Sequence, residues 1–186
     1  VSRTTSDYHA LVLWNAVLGG QFVSRLNLTL RQQKGYTYGV RSGFDFRRGR
    51  GPFTVQTSVQ ASATADAVGD VLQEVADMCG ELPATAAELD QAKAAVGRGY
   101  PLGFETAQQV ARGVAQLALH HLPDDHFERF VPTLEAVSEA DVAEAVLRHV
   151  RPRELTTVVV GDPDLVVPQF EARGVVVALA PDENGD

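Results

Sequence analysis

From Phe53 to Gln60 the side chains alternate, with Phe53, Val55, Thr57 and Val59 on one parity and Thr54, Gln56, Ser58 and Gln60 on the other. A period of two predicts a strand with one apolar and one polar face, because successive Cβ atoms point to opposite sides of a sheet. Such a strand needs a partner. Tyr36 to Phe46 alternates in part, and the segment between the two runs, RRGRGP, is a polar turn. The pair reads as an antiparallel hairpin with one face on a core and the other in water. Arg47, Arg48 and Arg50 in that turn are expected to form a solvated tip.

The segments around the hairpin carry the helical period. Residues 7–18 are apolar on too many sides for a surface helix, so this helix should be buried, with Asp7 as its N-cap and Gly19-Gly20 as its stop. Ser24 is placed to cap a helix over about 24–33. Gly35 then permits a reversal into the first strand, since glycine takes positive φ without steric cost. A helix over about 64–80 places Val68, Val71, Leu72, Val75 and Met78 on one face. Thr85 and Glu88 form one capping box, and Ser138 with Asp141 forms another. A helix over about 104–119 lies between them, after a break at Gly97, Gly99 and Pro101. Leu155–Val160 is a short apolar run expected to be a buried strand, followed by a helix over 165–173 and a strand over 175–179. Helices packed on one face of a mostly antiparallel sheet satisfy this order, an α+β two-layer sandwich in one domain.

The chain of 186 residues is 45% hydrophobic and 22% charged, enough apolar material for one sizeable core. Its net charge of −8 argues against nucleic acid and anionic membrane as partners. Cys79 is the single cysteine and lies in an apolar helical run, where it reads as a small buried hydrophobe. One free thiol favours the cytoplasm and leaves the periplasm open. The residues carry no basic-then-apolar leader pattern and no apolar run long enough to span a bilayer, so neither a signal peptide nor a span is expected. The first residue is Val, as in a processed or partial polypeptide.

Catalytic clusters are missing. There is no HExxH or HxxEH pair, no GxSxG elbow and no GxxxxGK[ST] loop. His120 and His121 are adjacent, so they diverge on a helix, and they read as a solvated helix end favoured by the dipole. No metal site is expected from these residues.

One stretch is more specific. Leu11–Val40, LVLWNAVLGGQFVSRLNLTLRQQKGYTYGV, fits the pattern N..LGG.F.SRL...LRE.KG..Y at Asn15, Leu18, Gly19, Gly20, Phe22, Ser24, Arg25, Leu26, Leu30, Arg31, Lys34, Gly35 and Tyr38. It departs from the pattern at Gln32-Gln33, where acidic residues are frequent. The stretch resembles the second, non-zinc-binding half of the pitrilysin/insulinase-type (M16) zinc metallopeptidases, including the mitochondrial processing peptidase group and bacterial members. The likeness continues through Gly51-Pro52-Phe53, Glu105-Thr106 and V.RHVRP..LTTVVVGD.

The resemblance implies a clamshell in which a partner half, in the same chain or a separate subunit, carries HxxEH and zinc. It implies that this half holds no cofactor and supplies Arg31 and Tyr38 to a peptide substrate in the closed chamber. Gly19, Gly20, Ser24 and Gly35 would be framework, and Tyr36 structural. Fuller members begin this half with a strand upstream of the position of Val1, so residues 1–186 would lack that strand and the catalytic half. In chemical terms, a guanidinium is a rigid fork for peptide carbonyls, and a phenol is a donor for the oxyanion that develops during amide hydrolysis. The alternative is a structural assembly subunit of the same fold, like the largely non-proteolytic core subunits of the cytochrome bc1 complex.

Overall fold

Helix α1 (Tyr8–Asn15) is apolar on every side, and it is the central element. Leu11, Leu13 and Trp14 are fully buried. The computed structural model describes residues 1–178. In it α1 contacts β1 (Thr37–Phe44), α3 (Ala86–Gly99), α5 (His126–Ala136) and α6 (Glu139–His149). It runs on into a π-helical turn, Ala16–Gly20. Asp7 precedes α1 but makes no side-chain cap. Its carboxylate instead accepts from Arg148 Nη2 at 3.2 Å and lies 2.7 Å from His149 Nε2, tying α1 to the end of α6.

Among the described residues the sheet is one antiparallel hairpin, β1 with β2 (Phe53–Val59), and the fold is α+β. Phe44, Phe53, Val55 and Val59 pack towards the core, while Thr54, Gln56 and Ser58 face water. Trp14 lies behind the hairpin, its ring 5.4 Å from Phe53 and 6.0 Å from Phe44. Arg47, Arg48 and Arg50 are exposed at the tip, with Arg47 paired to Asp45.

Helix α2 (Thr64–Met78) crosses behind the hairpin, burying Val75 and Met78. Cys79 follows it, half-buried, and burial pushes its thiol up to about 11. The predicted capping boxes at Thr85/Glu88 and Ser138/Asp141 are both formed. A third, Thr106 with Gln109, starts α4 (Ala107–His120) after a 3₁₀ turn at Tyr100–Phe104. Helix α7 (Pro163–Glu171) closes the described chain, with Val166 and Phe170 packed on Ala65 of α2.

Three sequence expectations fail here. Leu155–Val160 is extended but belongs to no strand, and Val158 and Val160 are 83% and 97% exposed. The run has the β-branched residues a strand favours, but no neighbouring strand among the described residues shares its hydrogen bonds. Residues 175–178 form no strand either, and residue 179 lies outside the described residues. His120 is not a solvated helix end: it is 4% exposed, and the αL residue His121 caps α4 in its place.

Arg25 fastens the hairpin side to the helices. It donates to Glu88 Oε1 at 2.6 Å and Oε2 at 2.7 Å, to the carbonyls of Leu82 and Pro83, and to Glu74. The Arg25 guanidinium holds the Glu88 carboxyl down to about 2. A carboxylate depressed in the folded state stabilises it above the ordinary carboxyl range, and that stability drains away as pH falls towards the folded value. Glu88→Gln keeps the capping box and removes the charge. Urea unfolding of this variant should therefore show a flatter loss of stability between about pH 4.5 and pH 2 than the parent chain. Identical slopes would show that the pair contributes nothing to acid unfolding.

Candidate functional site

The segment that precedes β1 is built on close backbone approach. A Cβ on Gly19 would stand 2.7 Å from Ser42 Oγ, and one on Gly20 would stand 2.4 Å from Asn15 Nδ2 and 2.9 Å from the Asn15 carbonyl oxygen. Glycine at 19 lets the π-helical turn pass close to Ser42 of β1, and glycine at 20 lets it fold back on Asn15. Ser42 Oγ then donates to Asn15 Oδ1 at 2.7 Å. Gly35 has φ of +65°, making the reversal between helix and strand.

Ser24 comes just before the helical segment that continues as the π-helix Asn27–Gln33, but its hydroxyl caps no backbone N–H. It accepts from Asn27 Nδ2 at 3.1 Å. Asn27 is buried, and its amide satisfies both backbone groups of one strand residue. Oδ1 accepts from Val40 N–H at 3.0 Å, and Nδ2 donates to the Val40 carbonyl at 3.0 Å and the Gln21 carbonyl at 3.1 Å. One side chain thus stands in for a neighbouring strand on β1.

Beside it β1 is irregular. Thr37 pairs with Val59 and Val40 with Thr57, so Tyr38 and Gly39 together oppose Ser58. One extra residue on one strand is a β-bulge, a device that re-aims side chains. The hydroxyls of Thr37 and Thr57 stitch it, each 3.0 Å from the Gly39 carbonyl oxygen. Tyr38 is 100% exposed, while Val40, which strand parity would place on the same face, is buried. Tyr36 is half-buried against the core.

Tyr38 lines an open groove of about 910 Å³ with Phe22, Asn27, Arg41, Gln56 and the Gly19-Gly20 turn. Arg31 is not itself a lining residue. Its guanidinium lies 4.1 Å over the ring of Phe22, which is. The three cations of the motif have different fates. Arg25 is bound to Glu88 and Glu74, and Lys34 is bound to both oxygens of Asp70 at 2.6 Å. Arg31 has only the Phe22 face among the described residues. A guanidinium braced on an aromatic ring with its fork unfilled, and a phenol with no intramolecular partner, are donors available to a ligand.

The sequence pattern marked Arg31, Phe22 and Tyr38 but not the polar side chains that shape β1 beside them. Asn27, Thr37 and Thr57 were not singled out. A polar residue inside an apolar helical period is the signal that could have found Asn27.

Among the described residues no group of three or more His, Cys, Asp or Glu side chains is placed to hold a metal ion, so the described residues offer no zinc site. Elemental analysis of the purified chain, after removal of loosely bound metal, should find no stoichiometric zinc; one zinc per chain would overturn that reading. No described helix is long and apolar enough to cross a membrane.

Comparison with solved structures places the fold. The chain superposes on the peptidase M16 inactive domain from Pseudomonas fluorescens with a TM-score of 0.75 and 27% identity, over 82% of this chain and 36% of that one. A conserved protein from Enterococcus faecalis gives 0.69 at 22% identity, over 80% and 34%. An inactive peptidase domain from Bordetella parapertussis gives 0.67 at 15% identity, over 80% of each chain. The chain thus spans about a third of the length of the first two. No curated protein gives a significant match. Residues 1–96, which contain the groove, the bulge and the motif that builds them, match the family described as the peptidase M16 inactive domain, and the chain belongs to that family.

Proposed function

We propose that this domain is the substrate-holding, non-catalytic half of a zinc metalloendopeptidase, and that it acts only when closed against a zinc-bearing half. The observation that carries the reading is the inequality among the motif's cations: Arg25 and Lys34 are consumed by carboxylates, while Arg31 keeps its donors beside a groove that also presents Tyr38. The groove has no carboxylate in its lining, so no fixed negative charge there repels a peptide's carbonyl oxygens. Arg31 would hold carbonyls in a planar two-pronged geometry, and Tyr38 would offer one O–H to the carbonyl under attack. The metal and the attacking water belong to the other half, and Tyr38 contributes only a donor to the carbonyl oxygen on which charge develops.

We infer that these residues act as a single unit of the C-terminal type.

Arg31→Lys in the assembled peptidase tests the reading. Lysine keeps the charge but loses the fork, so peptide positioning should suffer more than turnover. Steady-state kinetics should show KM raised more than kcat is lowered, by about tenfold, the equivalent of one charge-assisted hydrogen bond. Unchanged kcat and KM would remove Arg31 from the site and leave the domain as a scaffold.

A further inference from the structure

A second cavity, of about 230 Å³, shares no lining residue with the groove. Its walls are aromatic. Tyr100 stacks on Phe130 with centroids 3.9 Å apart and planes 2° from parallel, and Phe104 meets Phe127 edge-on at 4.9 Å. Gly113 of α4 forms part of the wall between them. A Cβ there would stand 3.1 Å from Phe104 and 3.3 Å from Phe127, so any larger residue would intrude on the space.

One cation faces this cavity. The Arg3 guanidinium lies over Tyr8, 3.7 Å from the ring centroid, and its Nη2 is 3.0 Å from His126 Nε2. Arginine stays protonated, so it donates, and His126 is neutral with its proton on Nδ1. No carboxylate pairs with Arg3 among the described residues, although the chain carries 24 acidic residues against 16 lysines and arginines. The neighbouring imidazoles are also short of partners. His9 Nε2 and His120 Nδ1 are enclosed without a hydrogen bond. Burial, with His126 and Arg3 beside it, presses His9 down to about 4. Arg3 is thus the one charged side chain in the cavity lining, and no carboxylate stands in that lining.

We propose that this cavity is a binding site for a small aromatic carboxylate, with its ring among Tyr100, Phe104, Phe127 and Phe130 and its carboxylate on Arg3. Each part of the site selects one part of that ligand. Aromatic faces and edges favour a planar ring. A guanidinium already braced by Tyr8 and His126 has lost its freedom before the ligand arrives, which favours a two-oxygen anion. The volume is below the ~300 Å³ at which drug-sized pockets begin, so the ligand is limited to a single ring.

Titration calorimetry and histidine-ring NMR on the 186-residue chain test this, with phenylacetate as the probe. Phenylacetate should saturate one site with a Kd on the order of 1 mM or tighter and should shift the His126 ring signals. Acetate, inorganic phosphate and 2-phenylethanol should each bind at least about tenfold more weakly, because each lacks the ring or the charge. Arg3→Gln and Gly113→Ala should each weaken phenylacetate by a similar factor. The comparison of probes on the parent chain stands even if a variant folds poorly. Absence of saturation by about 10 mM, equal binding of acetate or phosphate, or unmoved His126 signals would each overturn the proposal.

Discussion

Tyr38→Phe, in a complete peptidase assembly, is expected to lower kcat for peptide hydrolysis by about one to three orders of magnitude while leaving the thermal melt unchanged. The structure separates these two outcomes. Tyr38 is fully exposed, so its hydroxyl holds nothing within the domain and its removal has no folding cost to exact. Any effect must arise through what binds in the groove. A donor aimed at charge that develops during attack is felt in kcat, whereas one that contacts the bound peptide equally throughout is felt in KM. Peptide kinetics measured beside a melt distinguish the cases. Wild-type kcat and KM would take the phenol out of the substrate's reach and favour a structural subunit.

The largest effect on stability is expected at Asn27. Replacement by Ala strips partners from Val40 N–H, the Val40 carbonyl and the Gln21 carbonyl. Each buried polar group left alone costs about 1–3 kcal/mol, so Asn27→Ala should lose about 3 kcal/mol or more in urea unfolding. Val40 is next to the Tyr38–Gly39 bulge, so the same variant should also loosen the phenol's placement. A loss under about 1 kcal/mol would mean that water or backbone relaxation replaces the amide.

What was legible in the sequence was what is decided locally. Capping boxes at Thr85 and Ser138 depend on residues three apart, and both formed where expected. The hairpin followed from its own alternation, and Gly35 from the need for a left-handed turn. Features that depend on distant partners were misread or missed. Leu155–Val160 has a strand's composition, but strand formation is settled by a neighbour that its composition does not specify. His120 looked like a solvated helix end, and it is a buried one. Asp7 had the chemistry of a cap and was claimed by Arg148 and His149, more than a hundred residues away. In the groove, Arg31 and Tyr38 were marked by a family pattern, not by any physical signal in the sequence. Strand parity placed Tyr38 and Val40 on one face; the extra residue opposite Ser58 separates them, and a bulge leaves no mark in a period-two pattern.

The single tryptophan gives the domain a built-in optical reporter. Trp14 is completely enclosed, its indole N–H has no partner, and its nearest rings are Phe53 and Phe44 on the inner side of the hairpin. Its emission should be blue-shifted and insensitive to soluble quenchers for as long as the hairpin stays docked. The groove residue Tyr38 lies on none of those contacts, so ligands entering there should leave the signal nearly still. A red shift would then mark detachment of the sheet from α1, and the fluorescence of one residue would distinguish a variant that has lost its function from one that has lost its fold.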